Sequence, residues 1–115
     1  MPAHGLRADR KLRRRREFQR VFDSGRRTHG RFFTLIAAPA DAQVTRLGIV
    51  ASRKLGGAVV RNRAKRLIRE MFRKATYGGR PVDLVVIPKN TLLTADVEGL
   101  QRDYAATLRR CLSNL

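Results

Sequence analysis

The chain has 115 residues, enough for one domain with a modest core of its own, and 43% of them are apolar, which favours a folded unit over a disordered one. Its 26 Lys and Arg against 9 Asp and Glu give a formal net charge of +17, a self-repulsion that points to a polyanionic partner. No apolar run approaches a membrane span, no signal-like apolar stretch opens the chain, and Cys111 is the only cysteine, so the sequence predicts a cytoplasmic, nucleic-acid-binding domain without a disulfide framework or a membrane role.

In chain order, residues 1–10 read as a flexible basic tail and residues 11–115 as a single nucleic-acid-binding domain. Lys11 to Asp23 reads as a short helix with Phe18, Val21 and Phe22 on one face and Gly25 as its stop. Arg31 to Ala38 is rich in β-formers and reads as a strand, and Pro39 to Gln43 as a turn. Val44 to Ser52 alternates, so it reads as a second strand forming a hairpin with the first. Lys54 to Ala58 is a Gly-containing loop into a basic helix that ends by Tyr77 to Pro81. Val82 to Ile87 reads as a short, central strand. Thr94 is placed to cap a last helix, with Val97, Leu100, Tyr104, Leu108 and Leu112 on one stripe. The expected order is αββαβα, an α+β sandwich with helices packed on a small mixed sheet. The unit from the second strand through the basic helix to the third strand is a crossover, a connection compatible with those strands being parallel.

The basic helix carries the most information. Over residues 61–74, Ala64, Leu67, Ile68, Met71 and Phe72 recur at i, i+3, i+4, i+7 and i+8 and form a core-facing stripe. Arg61, Asn62, Lys65, Arg66, Arg69 and Arg73 fall on the opposite face. Surface helices ordinarily mix signs, because like charges one turn apart repel; a face that accepts this repulsion predicts a polyanion docked on it. The run Arg13 to Arg16 beside Phe18 and Phe22 has the composition of a single-strand site, with cations on the backbone and rings stacking on bases.

Catalytic groups are thin. His4 and His29 lie outside the best-formed elements, Cys111 falls on the apolar side of the last helix, and no carboxylate pair, metal-ligand cluster or nucleophile–base pair suggests itself. Gly56-Gly57 precedes a helix, but no Gly-Lys-Ser/Thr follows, so a nucleotide-binding loop is not expected there.

The stretch RKLGGAVVRNRAKRLIREMFR over residues 53–73 closely resembles the signature of the bacterial ribonuclease P protein subunit, with Arg61-Asn62-Arg63 and the following Lys65, Arg66 and Arg69 as its hallmark. The resemblance extends to EFQRVF over residues 17–22 with Gly25, and to the DLVVI strand over residues 83–87. It implies a non-catalytic protein subunit of an endoribonuclease that removes the 5′ leader of precursor tRNA. The chemistry would belong to the RNA subunit and its Mg²⁺ ions, with no cofactor bound by the protein alone. The implied partners are the ribonuclease P RNA, bound 1:1, and precursor tRNA, with no DNA. The resemblance places RNA-subunit contacts on Arg53, Lys54, Arg61, Asn62, Arg63, Lys65, Arg66, Arg69 and Arg73. It places the leader in a cleft between the first helix and the sheet, at Phe18, Phe22, Phe33 and Lys89. It also implies a left-handed parallel crossover. At Ile36, three residues beyond Phe33, some relatives carry an aromatic residue. Charge and fold class alone leave three alternatives: a ribosomal-type RNA-binding protein, a DNA-binding regulator, and a stand-alone nuclease, the last of which needs a carboxylate cluster.

Overall fold

The computed structural model describes residues 6–113 and Leu115. The chain runs through α1 (Arg15–Ser24), β1 (Arg26–His29), β2 (Phe33–Pro39), β3 (Arg46–Ile49), α2 (Ala58–Lys74), β4 (Val82–Pro88) and α3 (Val97–Leu112). Helix α1 starts where the Glu17 carboxylate accepts the backbone N–H groups of Arg13 and Arg14, both at 2.8 Å, relieving two donors outside the helical ladder. It stops at Gly25, whose N–H returns to the Val21 carbonyl at 2.7 Å. A Cβ on Gly25 would lie 2.8 Å from Ile36 Cγ2, so the helix end reaches the sheet this closely only through glycine.

The sheet has the order β1-β2-β4-β3, with β2 antiparallel to both neighbours and β3 parallel to β4. The α+β sandwich, the central β4 and the parallel crossover through α2 are as the sequence predicts. Two expectations fail. The strands β2 and β3 do not form a hairpin; each pairs with β4, which lies between them. Alternation reports which face of a strand is buried and is silent about which strand lies alongside. The hairpin is instead β1–β2, and β1 is an additional strand. Its sequence, Arg-Arg-Thr-His, carries no apolar alternation because it is an edge strand, where charge is tolerated and discourages edge-to-edge association.

Helices cover both faces of the sheet. Phe33, Leu35, Ala37, Leu84 and Val86 meet Ala64, Ile68 and Phe72 of α2 and Leu100, Tyr104, Leu108 and Cys111 of α3 in the larger core. Ile36, Ala38 and Val85 meet Leu12 and Val21 on the α1 side. Asp96, rather than Thr94, caps α3, accepting Gly99 N–H at 2.9 Å. Val97 of the expected stripe is exposed. In the larger core the Tyr77 hydroxyl donates to the Phe72 carbonyl at 2.8 Å and meets the Tyr104 hydroxyl, also at 2.8 Å; burial raises the pKa of both phenols. Ahead of α1, Ala8–Arg10 forms a 3-10 turn, Arg10 lies 4.9 Å from the Phe72 ring centroid, and Leu12 N–H donates to the Leu47 carbonyl. Residues 1–5 of the expected tail lie outside the described residues.

One ionic cluster fastens α1 to the sheet. Asp83 on β4 is fully buried. Its register partner Arg46 on β3 grips both carboxylate oxygens, Nε to Oδ1 at 2.9 Å and Nη2 to Oδ2 at 2.8 Å, and Arg20 of α1 donates to Oδ2. Arg46 also reaches Glu17 at 3.0 Å and Asp41 at 2.9 Å. Hydrogen bonding to Asp83 outweighs desolvation and raises the Arg46 pKa well above its ordinary value. Removing one partner of a buried ion pair strands the other, so Asp83→Ala is expected to cost about 3–5 kcal/mol, read by urea denaturation at neutral pH. A destabilisation under about 1 kcal/mol, the range of surface pairs, would show that the cluster does not hold α1. Acid should loosen the same junction. The Arg14 and Arg13 N–H groups hold the Glu17 carboxyl below its ordinary 4.5. Its contribution is therefore complete above pH about 4.5 and is lost as pH falls through the lowered folded value.

Candidate nucleic-acid interface

Helix α2 buries Ala64, Ile68, Met71 and Phe72 and leaves Leu67 half-buried, so the predicted apolar stripe is the docked one. The opposite side is cationic. Asn62, Arg63 and Arg66 are exposed, and Arg61, Lys65 and Arg69 are half-buried at its flanks. Arg53 and Lys54 are exposed on the 3-10 turn Arg53–Leu55 that leads into the helix, a turn anchored by buried Leu55. Arg73, at the far end, is turned toward Glu70 at 2.6 Å, and Lys74 reaches the same carboxylate at 3.3 Å. The charges at the start of the helix thus face solvent, while those at its end share an acid. The Arg61 Nε is buried without a hydrogen-bond acceptor among the described residues.

Between α1, β3 and the middle of α2 lies a cleft of about 490 Å³ lined by Phe18, Phe22, Val50, Ala51, Arg13 and Lys65, among others. Phe18 and Phe22 are half-buried: one ring side packs on the smaller core and the rest faces the cleft. A second concavity of about 150 Å³ adjoins it through shared Phe18, Ile49 and Lys65 and runs on to Arg69. Two sites that sequence reading keeps apart, an aromatic cleft and a cationic helix, therefore meet at Lys65. Arg13 and Arg15, from the four-arginine run, stand at the cleft as well.

Phe33 is corrected. It is fully buried on the α2/α3 side, edge-on to Tyr104 with ring centroids 6.0 Å apart. The two-residue period of a strand puts it on the opposite face from the α1-facing Ile36, so it cannot line the cleft. Ile36 offers no surface either, being 1% exposed beneath α1. Lys89 follows β4 on the cleft-side parity, and its Nζ donates to the Gly30 carbonyl at 2.6 Å. A larger concavity of about 670 Å³ lies elsewhere, at the start of α3. Its carboxylates are committed to the fold: Asp103 accepts the N–H groups of Arg31 and Phe32, and Asp96 caps α3. Among the described residues, no group of three or more His, Cys, Asp or Glu is placed to hold a metal ion. Cys111 is buried, and burial pushes its thiol pKa up.

The sequence pattern of the Ribonuclease P family matches residues 6–112. A ribonuclease P protein component from Caldanaerobacter subterraneus subsp. tengcongensis is 35% identical over 101 residues, covering 87% of each chain. The RNase P protein from Thermotoga maritima superimposes with a TM-score of 0.77 at 32% identity, over 87% of this chain and 96% of that one. A mutant RNase P protein from Staphylococcus aureus superimposes with a TM-score of 0.80 at 28% identity, over 88% of this chain and 86% of that one.

The cleft depends on one glycine. The Phe18 ring lies directly on Gly48, where a Cβ would sit 2.5 Å from Cε1 and 2.7 Å from Cζ. Gly48→Ala should therefore overpack the junction by about 1–3 kcal/mol. Combining it with Phe18→Leu should return part of that cost, with a coupling of at least about 0.5 kcal/mol. Thermal denaturation of the two single variants and the double variant measures this; strict additivity would mean that Gly48 does not seat the ring.

Proposed function

The chain belongs to the ribonuclease P protein family, and on that premise we propose a division of labour in which α2 docks on the catalytic RNA while the α1/β3 cleft receives the single-stranded 5′ leader of precursor tRNA. The family role is that of the protein component of ribonuclease P in tRNA processing. The observation that carries the reading is the continuity of the cationic α2 surface with the aromatic cleft at Lys65. A chain of RNA entering the cleft passes beside the helix that holds the larger RNA.

In this reading Arg53, Lys54, Arg61, Asn62, Arg63, Arg66 and Arg69 contact phosphate and RNA shape, with Arg73 peripheral because it also serves Glu70. The unpartnered Arg61 donor supports an acceptor outside the chain, since an unsatisfied buried group costs about 1–3 kcal/mol. Lys65 serves both surfaces. Phe18 and Phe22 stack on or line the path of the leader, and Arg13 and Arg15 neutralise its backbone. The protein binds one RNA subunit and precursor tRNA in the cytoplasm and supplies no reacting group. Its best-placed acids are already engaged: Asp83 by two arginines, Glu17 and Asp103 by backbone N–H groups. Mg²⁺ for phosphodiester hydrolysis belongs with the RNA, and the protein lowers the concentration required by offsetting repulsion between the two RNAs.

Two experiments test this. Affinity for the RNA subunit against salt should fall in Arg63→Ala and Arg66→Ala, with the slope reduced by roughly 0.7–0.9 for each phosphate that is no longer neutralised; unchanged affinity and slope in both would reduce the basic face to solvated surface. Protein rigorously freed of RNA should leave precursor tRNA uncut with Mg²⁺ present, and should restore cleavage at the mature 5′ end when added to the RNA subunit at low Mg²⁺. Site-specific cleavage by the protein alone would overturn the assignment of chemistry to the RNA.

A further inference from the structure

The α1 side of the sheet extends past the aromatic cleft, and α1 does not cover all of it. Strand parity places Gly48 and Val50 from β3, Val85 and Ile87 from β4, Thr34 and Ile36 from β2, and Arg27 and His29 from β1 on this face. Helix α1 crosses Gly48, Val85 and Ile36 and ends at Gly25. Beyond its track lies a single cross-strand row, half-buried at Val50 and Ile87, buried at Thr34 and exposed at His29. Val50, whose N–H donates to the Val86 carbonyl at 3.0 Å, stands beside Ile87; Ile87 pairs with Thr34; Thr34 pairs with His29. The row spans four strands, or about 14 Å at the usual interstrand spacing.

Its chemistry is graded. The Val50 end is apolar and belongs to the cleft that Phe22 also lines. The far end is polar: the exposed His29 places Nδ1 3.1 Å from Thr34 Oγ1, which holds the imidazole over the row. Two cations flank that end. Lys89 has its Nζ on Gly30, next to His29, and an ammonium keeps further donors after one bond. Arg27, one pleat along β1 on the same face, is exposed and has no carboxylate within ion-pair distance among the described residues. An aromatic cleft that opens onto a flat imidazole between two cations suits an extended polyanion carrying planar bases.

We propose that this row is a second leader subsite: nucleotides farther from the cleavage site leave Phe22, pass over Ile87 and the buried Thr34, and end with a base on the exposed His29 ring and a phosphate on Arg27. The proposal rests on the leader-cleft reading above and adds His29 and Arg27 to it as contacts. Its rival is that Arg27 only keeps the exposed edge of β1 from pairing with another chain, a task any charge performs. Arg27→Glu separates the two, because it keeps the edge charged and reverses the sign that a phosphate meets.

The test measures equilibrium binding of the reconstituted holoenzyme to precursor tRNAs with a graded series of leader lengths, with mature tRNA as the zero-length reference. Wild type, Arg27→Glu, His29→Ala and Phe18→Ala are compared, each checked by circular dichroism. Phe18→Ala should lose affinity as soon as a short leader is present. Arg27→Glu should lose about tenfold, and His29→Ala about fivefold or more, only once the leader is long enough to pass Phe22. Equal losses for Arg27→Glu at every length, mature tRNA included, would make Arg27 a general electrostatic contributor and overturn the subsite. Wild-type binding by both β1 variants, alongside a leader-dependent loss in Phe18→Ala, would overturn the subsite and leave the cleft. Leader-independent binding in all three variants would remove the cleft reading and the subsite together.

Discussion

The buried Asp83 carboxylate is the constraint on which the arrangement depends. A fully buried carboxylate is tolerable only when paired and hydrogen-bonded, and here the bidentate fork of Arg46 and a bond from Arg20 meet that demand. The three residues come from β4, β3 and α1, so satisfying one charge fixes the parallel strand pair and the helix above it. Glu17 then joins the N-terminus of α1 to the same Arg46. With α1 fastened at Glu17 and Arg20, Phe18 between them is set down on Gly48, and Phe22 follows one turn later at the cleft wall. The aromatic site is thus positioned by an ion cluster with which it shares no atom.

The same cluster shows how a chain of net charge +17 stays compact. The acids are few, and the fold uses them where they do structural work. Asp83, Glu17 and Asp41 converge on Arg46, and Asp103 fastens the β1–β2 turn to α3 through the N–H groups of Arg31 and Phe32. Little negative charge remains to face the start of α2 or the Arg13–Arg16 run. Internal satisfaction of the acids and an uncompensated cationic surface are two sides of one distribution, and that surface is what a polyanion meets.

Parity governs which residues the cleft contains. Phe33 and Ile36 are three apart on one strand and so face opposite ways, Phe33 into the large core and Ile36 under α1. Lys65, by contrast, sits where the helix rim and the cleft wall coincide, so one side chain belongs to both surfaces. The resemblance that assigns Phe33 to the leader and Lys65 to the RNA subunit carries residue types correctly, but it does not carry the face on which each side chain emerges.

Local pattern was enough for much of this protein. The 3.6-residue spacing of Ala64, Leu67, Ile68, Met71 and Phe72 determined α2, its docked side and the cationic side opposite, because that period is a property of the helix itself. The length and apolar run of residues 82–87 marked a buried central strand, and the motif spanning residues 53–73 identified the family. Strand pairing, the edge strand β1 and the faces of Phe33 and His29 were decided only by tertiary structure. An edge strand needs no apolar alternation, so Arg26-Arg27-Thr28-His29 left no hydrophobic trace. The crossover through α2 marked β3 and β4 as a parallel pair, but that β4 lies between β2 and β3 depends on contacts far apart in sequence, such as Thr34 against Ile87, and no window short enough to show a period contains both partners.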